Sequence, residues 1–306
     1  MRLGLFGCGR WGAHILRDLR ALGCTVAVVD PSHEARRRAT EGGAAAAIAS
    51  GSELPAVDGV VVATPTGTHA RVIESVAALG VPVFCEKPLT ADPASAAELA
   101  RALGERLFVL DKWRYHPGIE ALRDLARSGE IGPVVGLRTT RLGWGSAHSD
   151  VDPVWTLAPH DLSIGLEILG ALPTPRHAVV EQLGGAVVGL FASLGEEPWM
   201  SIEVSVAHPA VRREVRLICR DGVASLADAY SDGICLVRFV HGGREQPLVE
   251  RRPISTEPPL LRELSACLAH VRGGAPPRSS AADGARIVAV LAELLALGAT
   301  DVNVND

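Results

Sequence analysis

No stretch of this chain approaches the roughly 20 consecutive apolar residues needed to cross a bilayer, so a membrane-spanning helix is excluded. The first apolar run, Leu3 to Phe6, is broken at once by glycines and does not read as a targeting segment; the expectation is a cytoplasmic protein. Positive charge is not in excess. Thirty Lys and Arg against 35 Asp and Glu leave a formal net charge of -5, with no basic cluster to follow a phosphate backbone, so nucleic acid is not an expected partner. The six cysteines (Cys8, Cys24, Cys85, Cys219, Cys235, Cys267) include no Cys-x-x-Cys pair and have no histidine at metal-ligand spacing. No metal centre is expected, and the cysteines read as reduced, mostly buried thiols. Repeats, coiled-coil heptads and low-complexity tracts are missing as well.

What is present is the composition of an ordinary globular protein, 47% hydrophobic and 21% charged, in 306 residues, for which two domains are the default. The first third alternates short β-type runs (Arg2–Phe6, Thr25–Val29, Gly59–Ala63, Val81–Cys85, Leu107–Leu110) with helical spacing of Trp11, Ile15, Leu16, Leu19 and Leu22, and of Val72, Ile73, Val76 and Leu79. That alternation predicts an α/β Rossmann domain with a parallel sheet. From about Pro133 closely spaced β runs follow: Val134–Arg141, Ala186–Ala192, Ser201–Ala207, Val211–Cys219, Val223–Ala227 and Ile234–Val240. They predict an α+β domain with a large, mostly antiparallel sheet. One helix is expected from Pro159, in its first turn, to Leu169, stopped by Gly170. Helices near Pro258–Val271 and Ala281–Leu297 close the chain. The expected division is 1–113 for dinucleotide binding and 114–306 for substrate binding and oligomerisation, with the closing helices packing back on the first domain.

Gly7-Cys8-Gly9-Arg10-Trp11-Gly12 directly follows the first strand and opens the first helix, the context that gives a GxGxxG string meaning. Gly7 permits the tight turn, Gly9 lets the backbone approach a pyrophosphate, and Gly12 lets helix and strand pack closely. Arg10 and Trp11 belong to the same cofactor-binding turn, whose helix N-terminus presents N–H groups to phosphates. Asp30 ends the second strand, where a carboxylate accepts hydrogen bonds from ribose hydroxyls and repels a 2′-phosphate; NAD(H) is preferred over NADP(H). The alternative is that the glycines form a structural turn and that Asp30, before Pro31 and Ser32, merely begins a helix.

At Ala63-Thr64-Pro65-Thr66-Gly67-Thr68-His69 and Cys85-Glu86-Lys87-Pro88, both after strands, the sequence resembles the Gfo/Idh/MocA family of oxidoreductases. Tyr115-His116-Pro117, Gly129-Glu130-Ile131-Gly132 and Ser279 to Gly284 extend the resemblance over the whole chain. It implies cofactor contacts at Thr64, Pro65, Thr66, His69 and Glu86, with Lys87 between nicotinamide and substrate. The residues reach part of this independently, because ligands of open α/β sheets bind outside the carboxyl ends of the strands. Lys87 is also held extended by the proline after it. Its ammonium suits hydrogen bonding to a substrate hydroxyl and stabilising an alkoxide. The alternatives are a solvated lysine and, for His69, a histidine that satisfies its own turn.

In many members of the family an Asp and a His four residues apart begin the helix that enters the active site from the second domain. Here His160 matches the histidine and Thr156 stands where the acid would be. In a first helical turn the dipole disfavours imidazolium, which suits His160 as a general base. Thr156 orients a hydroxyl but holds no charge, and Asp161 is a candidate to compensate, with a capping or exposed role as the alternative. The stretch from Arg141 through Trp144, Trp155 and His160 to Gly170 looks like the branch that works on nucleotide-linked sugars, implying redox chemistry at a sugar ring carbon. Arg114, Arg138 and Arg141 read either as forked anion contacts or as surface charges, and Tyr115 and Trp155 either as pocket walls or as core. The expected small-molecule substrate is a sugar or nucleotide sugar, and by analogy with the family the expected assembly is a homodimer or homotetramer. Two other readings stay open: an NAD(H)-binding sensor or partner subunit without catalysis, and a non-redox enzyme that holds NAD tightly.

Overall fold

The computed structural model describes residues 1–145, 150–239 and 248–300. They form two units, the first made of Met1–Lys112 and Pro258–Ala289, the second of the described residues of Trp113–Glu257 and those from Val290 on. No helix among the described residues is long and apolar enough to cross a membrane.

The first unit begins β1 (Arg2–Phe6), α1 (Arg10–Ala21), β2 (Thr25–Val29), α2 (His33–Glu41), β3 (Ala46–Ile48), β4 (Gly59–Val62), α3 (His69–Val76), β5 (Val83–Glu86), α4 (Pro93–Leu103) and β6 (Leu107–Leu110). The strands form one sheet in the order β3-β2-β1-β4-β5-β6, every pairing parallel, the doubly wound arrangement of dinucleotide-binding domains. Strands covered on both faces read as continuous apolar runs, and β4 and β5 are buried along their whole length. The helices bury one stripe each: Ile15, Leu16 and Leu19 turn inward from α1. Local chemistry sets the helix starts, with Ser32 capping α2, and Asp92 capping α4 ahead of Pro93.

The chain continues with α5 (Pro117–Ser128), β7 (Val134–Trp144), α6 (Pro153–Leu169), β8 (Pro175–Leu183), β9 (Ala186–Leu194), β10 (Trp199–Ser205), β11 (Ala207–Cys219), β12 (Gly222–Leu226), β13 (Gly233–Arg238), β14 (Leu248–Pro253), α7 (Pro259–Val271) and α8 (Ala281–Thr300). The second unit's sheet runs β14-β13-β12-β11-β7-β10-β9-β8, antiparallel except for the β10–β7 pair. Helix α7 belongs to the first unit, where Leu260, Leu264, Cys267 and Leu268 join the core that α1 covers.

Both sheets match the predicted fold class. Three strands escape the sequence pattern, β3, β8 and β14, and each lies at the edge of its sheet. An edge strand pairs on one side and needs little apolar patterning; nearly all of β8 and all of β14 is exposed or half-exposed, and polar residues such as Arg176, His177, Glu181 and Glu250 interrupt the apolar ones. The predicted run Ile234–Val240 ends at Arg238 in β13, and Val240 lies outside the described residues. The helix expected from Pro159 is corrected. Asp152 caps α6 by accepting from the Val154 and Trp155 amides, Pro153 takes the first helical position, and Pro159 sits inside the helix. Its missing N–H removes one rung of the helical ladder, which reads locally as a start although the helix continues through it. All six cysteines are free thiols and five are buried, as predicted.

Candidate active site

The turn between β1 and α1 is shaped by backbone contacts that only glycine allows. Gly7 has φ of +88°, and a Cβ there would lie 2.6 Å from the Ala63 carbonyl oxygen; at Gly12 a Cβ would lie 2.2 Å from the Gly7 carbonyl oxygen. Gly9 differs: a Cβ there would meet nothing within 4 Å. The protein's own packing therefore does not demand glycine at this position, and its absent side chain leaves the backbone open to close approach. Gly9 also caps α1 without a side-chain hydrogen bond, so the first amides of that helix are not satisfied by a cap. These features fit a pyrophosphate cradle. Arg10 is exposed beside it.

Asp30 follows β2 and is 8% exposed. Its Oδ2 accepts from the Cys8 amide in the glycine turn at 2.8 Å, and its Oδ1 accepts from the Ser32 amide at 2.8 Å. The helix-starting role falls to Ser32, which caps α2, so Asp30 is tied to the turn instead.

The two motif loops leave neighbouring parallel strands, β4 and β5, at their carboxyl ends. In the first, the Thr68 hydroxyl donates to Thr64 Oγ1 at 2.9 Å and to the Pro65 carbonyl at 2.7 Å, and Thr66 is buried. His69 begins α3 and is buried, with Nδ1 2.9 Å from the Pro88 carbonyl oxygen and Nε2 2.9 Å from that of Thr64. In the second loop Lys87 is half-buried and its bond to Pro88 is cis.

Glu86 ties this loop to the glycine turn. Its Oε1 accepts from Trp11 Nε1 at 2.5 Å, and Lys112 Nζ lies 4.3 Å from the centre of the Trp11 ring, a cation–π contact. Burial pushes the Glu86 carboxyl up; Lys87, the Trp11 hydrogen bond and Lys112 pull it back. Behind it lie Asp111 and Glu263, the latter 2% exposed with Oε1 lacking a hydrogen-bond partner among the described residues. Burial first, then Glu86 and Asp111, push the Glu263 carboxyl well above its ordinary value. A raised carboxyl keeps its proton in the folded chain while the unfolded chain has lost it. Its contribution to stability is therefore full below the ordinary value of 4.5 and is lost as pH rises towards the raised one. Accordingly, Glu263→Gln is expected to gain stability relative to the parent as pH increases above that value, read as urea midpoints across pH; parallel curves would show that Glu263 is ionised in the fold. Among the described residues no three His, Cys, Asp or Glu gather to hold a metal ion.

In the second unit, α6 carries Trp155, Thr156, His160 and Asp161. His160 is the eighth residue of α6, two turns beyond its start, so the expected first-turn dipole effect on its ring does not apply. Thr156 is buried and donates its hydroxyl to the Pro153 carbonyl at 2.8 Å, which commits its proton and leaves it to act only as an acceptor. Asp161 turns the other way. Its Oδ2 accepts from Arg141 Nε at 2.8 Å, and Arg141 lies over the Trp113 ring, Cζ 4.6 Å from the centre. Asp161 is thereby committed to Arg141 and does not stand in for the missing acid. The same pair removes Arg141 from the candidate anion contacts. Arg138, on the opposite face of β7, is exposed, and Arg114 donates from Nε to Glu167 at 2.8 Å, with Arg123 on the other Glu167 oxygen at 2.7 Å. Tyr115 is buried in the turn after Lys112, and Trp155 is half-buried.

Sequence reasoning missed Lys112, Asp111 and Glu263. A signal for the last was present: Glu263 falls among Leu260, Leu264 and Cys267 on the buried stripe of α7, where an acid is out of place.

Residues 1–110 match the family model described as an oxidoreductase family with an NAD-binding Rossmann fold. The chain is 33% identical over 222 residues to UDP-N-acetylglucosamine 3-dehydrogenase of Acidithiobacillus ferrooxidans, covering 71% of this chain and 68% of that protein. The solved structure of that dehydrogenase, GnnA, superposes with a TM-score of 0.84 at 26% identity, over 98% of each chain. Inositol 2-dehydrogenase of Leifsonia xyli is 38% identical over 148 residues, 45% of this chain and 44% of that one. The matched stretch thus spans less than half the length of this relative, and the same holds for other curated relatives.

Proposed function

We propose that this chain, which belongs to the Gfo/Idh/MocA family of NAD-binding oxidoreductases, is a dehydrogenase or reductase that acts on a CH–OH group of a sugar, cyclitol or nucleotide-linked sugar. The observation that carries the reading is the Gly9 cradle over the uncapped start of α1, with Asp30 fastened to the same turn and Lys87 on a loop at the same sheet edge. Bound NAD(H) supplies the hydride acceptor or donor. Lys87 holds the reacting hydroxyl with its ammonium and stabilises the developing negative oxygen. His160 takes the proton in oxidation and returns it in reduction. Thr156, as an acceptor, orients a substrate hydroxyl and, being uncharged, supplies no counter-charge of its own to a protonated His160. The wall residues Tyr115 and Trp155 and the cofactor contacts at Thr64, Pro65, Thr66 and Glu86 belong to the same reading.

NAD(H) is the preferred nucleotide, because a carboxylate pinned at the end of β2 accepts ribose hydroxyls and repels a 2′-phosphate. Asp30→Ala is expected to shift the NADH-to-NADPH affinity ratio by roughly tenfold towards NADPH, in line with loss of a hydrogen bond to a charged group. An unchanged ratio in fluorescence titrations would remove Asp30 from the selection. Val179 and Phe191, more than half exposed on β8 and β9, suit burial between copies, and a homodimer or homotetramer is proposed, checked by light scattering.

The reading is tested by absorbance at the reduced-nicotinamide band with NAD or NADP and a panel of inositols, free sugars and UDP-sugars. A substrate-dependent change is expected with NAD. Tight NADH binding without any change would favour the sensor reading, to which the committed Thr156 hydroxyl points, and Thr156→Asp would then be the first restoration to make.

A further inference from the structure

The carbonyls of Thr64 and Pro88 occupy equivalent places, each two residues beyond the end of its strand, β4 or β5. Past those ends the sheet offers them no ladder partner, and buried carbonyls need donors. One imidazole lies between them, His69, 1% exposed, with a ring nitrogen 2.9 Å from each oxygen. A neutral imidazole carries a single N–H. It satisfies one carbonyl and turns a lone pair on the other at the same distance, a repulsive contact. The doubly protonated ring donates to both, through hydrogen bonds strengthened by its charge.

We infer that His69 is held as an imidazolium in the folded protein and acts as a charged clamp between the two motif loops. It is a positioning residue: its two ring nitrogens face the carbonyls of Pro88 and Thr64, one on each motif loop, and its hydrogen bonds there hold the loops together. By fixing the Pro88 carbonyl it also fixes the backbone that carries Lys87; the bearing of this on catalysis rests on the dehydrogenase reading, whereas the clamp itself does not.

The decisive measurement is nitrogen NMR of the full chain labelled in its histidine rings, with His69 assigned through the wild-type backbone. Two protonated ring nitrogens at neutral pH are expected; one protonated and one bare nitrogen would overturn the clamp. Two conservative variants give an independent reading, because the amide nitrogen of asparagine falls near Nδ1 of the imidazole and that of glutamine near Nε2. His69→Asn should keep the bond to Pro88 and release Thr64, speeding amide exchange in residues 64–68 by roughly tenfold or more while residues 87–90 hold. His69→Gln should reverse the pattern. Equal loosening of both loops by both variants, as simple loss of packing would produce, would also overturn it. Absence of NADH binding to the wild-type chain would remove the dehydrogenase reading and leave these outcomes to decide the clamp.

Discussion

Lys87→Ala is expected to lower turnover by roughly a hundredfold to ten-thousandfold, the range supplied by a positioned proton-handling group, while NADH affinity stays within a few-fold of the parent. The position sets the size of the effect. Lys87 directly follows β5, is half-buried, and its neighbour Glu86 spends one oxygen on Trp11. An ammonium on a loop packed in this way is available at fixed cost in reorganisation, which is what makes a charged donor effective against a developing alkoxide. Lys87→Arg should not restore the rate: the planar guanidinium keeps the charge but not the compact donor geometry, and it does not release a proton near neutral pH. The experiment is steady-state turnover with saturating NAD and the best substrate of the sugar panel, beside NADH titration. Full turnover by Lys87→Ala would remove the lysine from the chemistry and leave the cofactor site intact.

The second large effect is on stability. Arg141 and Asp161 are 6% and 1% exposed in their side chains and bond at 2.8 Å, and removing one partner of such a buried pair typically costs about 3–5 kcal/mol because the other charge is stranded. Asp161→Ala is therefore expected to lower the urea midpoint substantially, and Asp161→Asn nearly as much, since an amide leaves the guanidinium equally uncompensated. The double variant Arg141→Met with Asp161→Leu should recover most of the loss, because it removes both desolvated charges. Burial raises the Asp161 carboxyl and Arg141 opposes that rise. A raised value means that the folded chain binds its proton more tightly than the unfolded one. The contribution of Asp161 to stability is thus full below its ordinary value of 3.8 and declines as pH rises through the folded value, so the pair does not favour folding merely by being ionised. A double variant no more stable than Asp161→Ala would show that the ring of Trp113 and the pair form a unit that apolar residues do not replace.

These two cases differ in how far they could be read beforehand. Lys87 was legible because its neighbours in sequence are its neighbours in space: a strand, an acid, a lysine and a proline in a row, at the end of a run whose length and apolar character already mark a buried parallel strand. Gly7, Gly9, Gly12 and Asp30 were legible for the same reason, each defined by its place in a strand–turn–helix unit. Arg141 and Asp161 were not. Their 20-residue separation carries no period, and only the packing of α6 on β7 decides that Asp161 meets an arginine and not a substrate or solvent. Arg114 met Glu167 across 53 positions in the same way.

By itself the sequence determined the two sheet classes, the glycine turn, the acid at the end of β2 and the two motif loops, because local spacing and burial on one or both faces are written in contiguous residues. Tertiary structure alone decided where α6 begins, since Asp152 and Pro153 override the start signal of Pro159; it decided which strands close the sheet edges, where pairing replaces apolar pattern; and it decided the partners of the buried charges. Glu263 beside Glu86 and Asp111, and His69 between two carbonyls, owe their protonation to groups brought together by packing, and a titrating group answers to its surroundings in space more than to its neighbours along the chain.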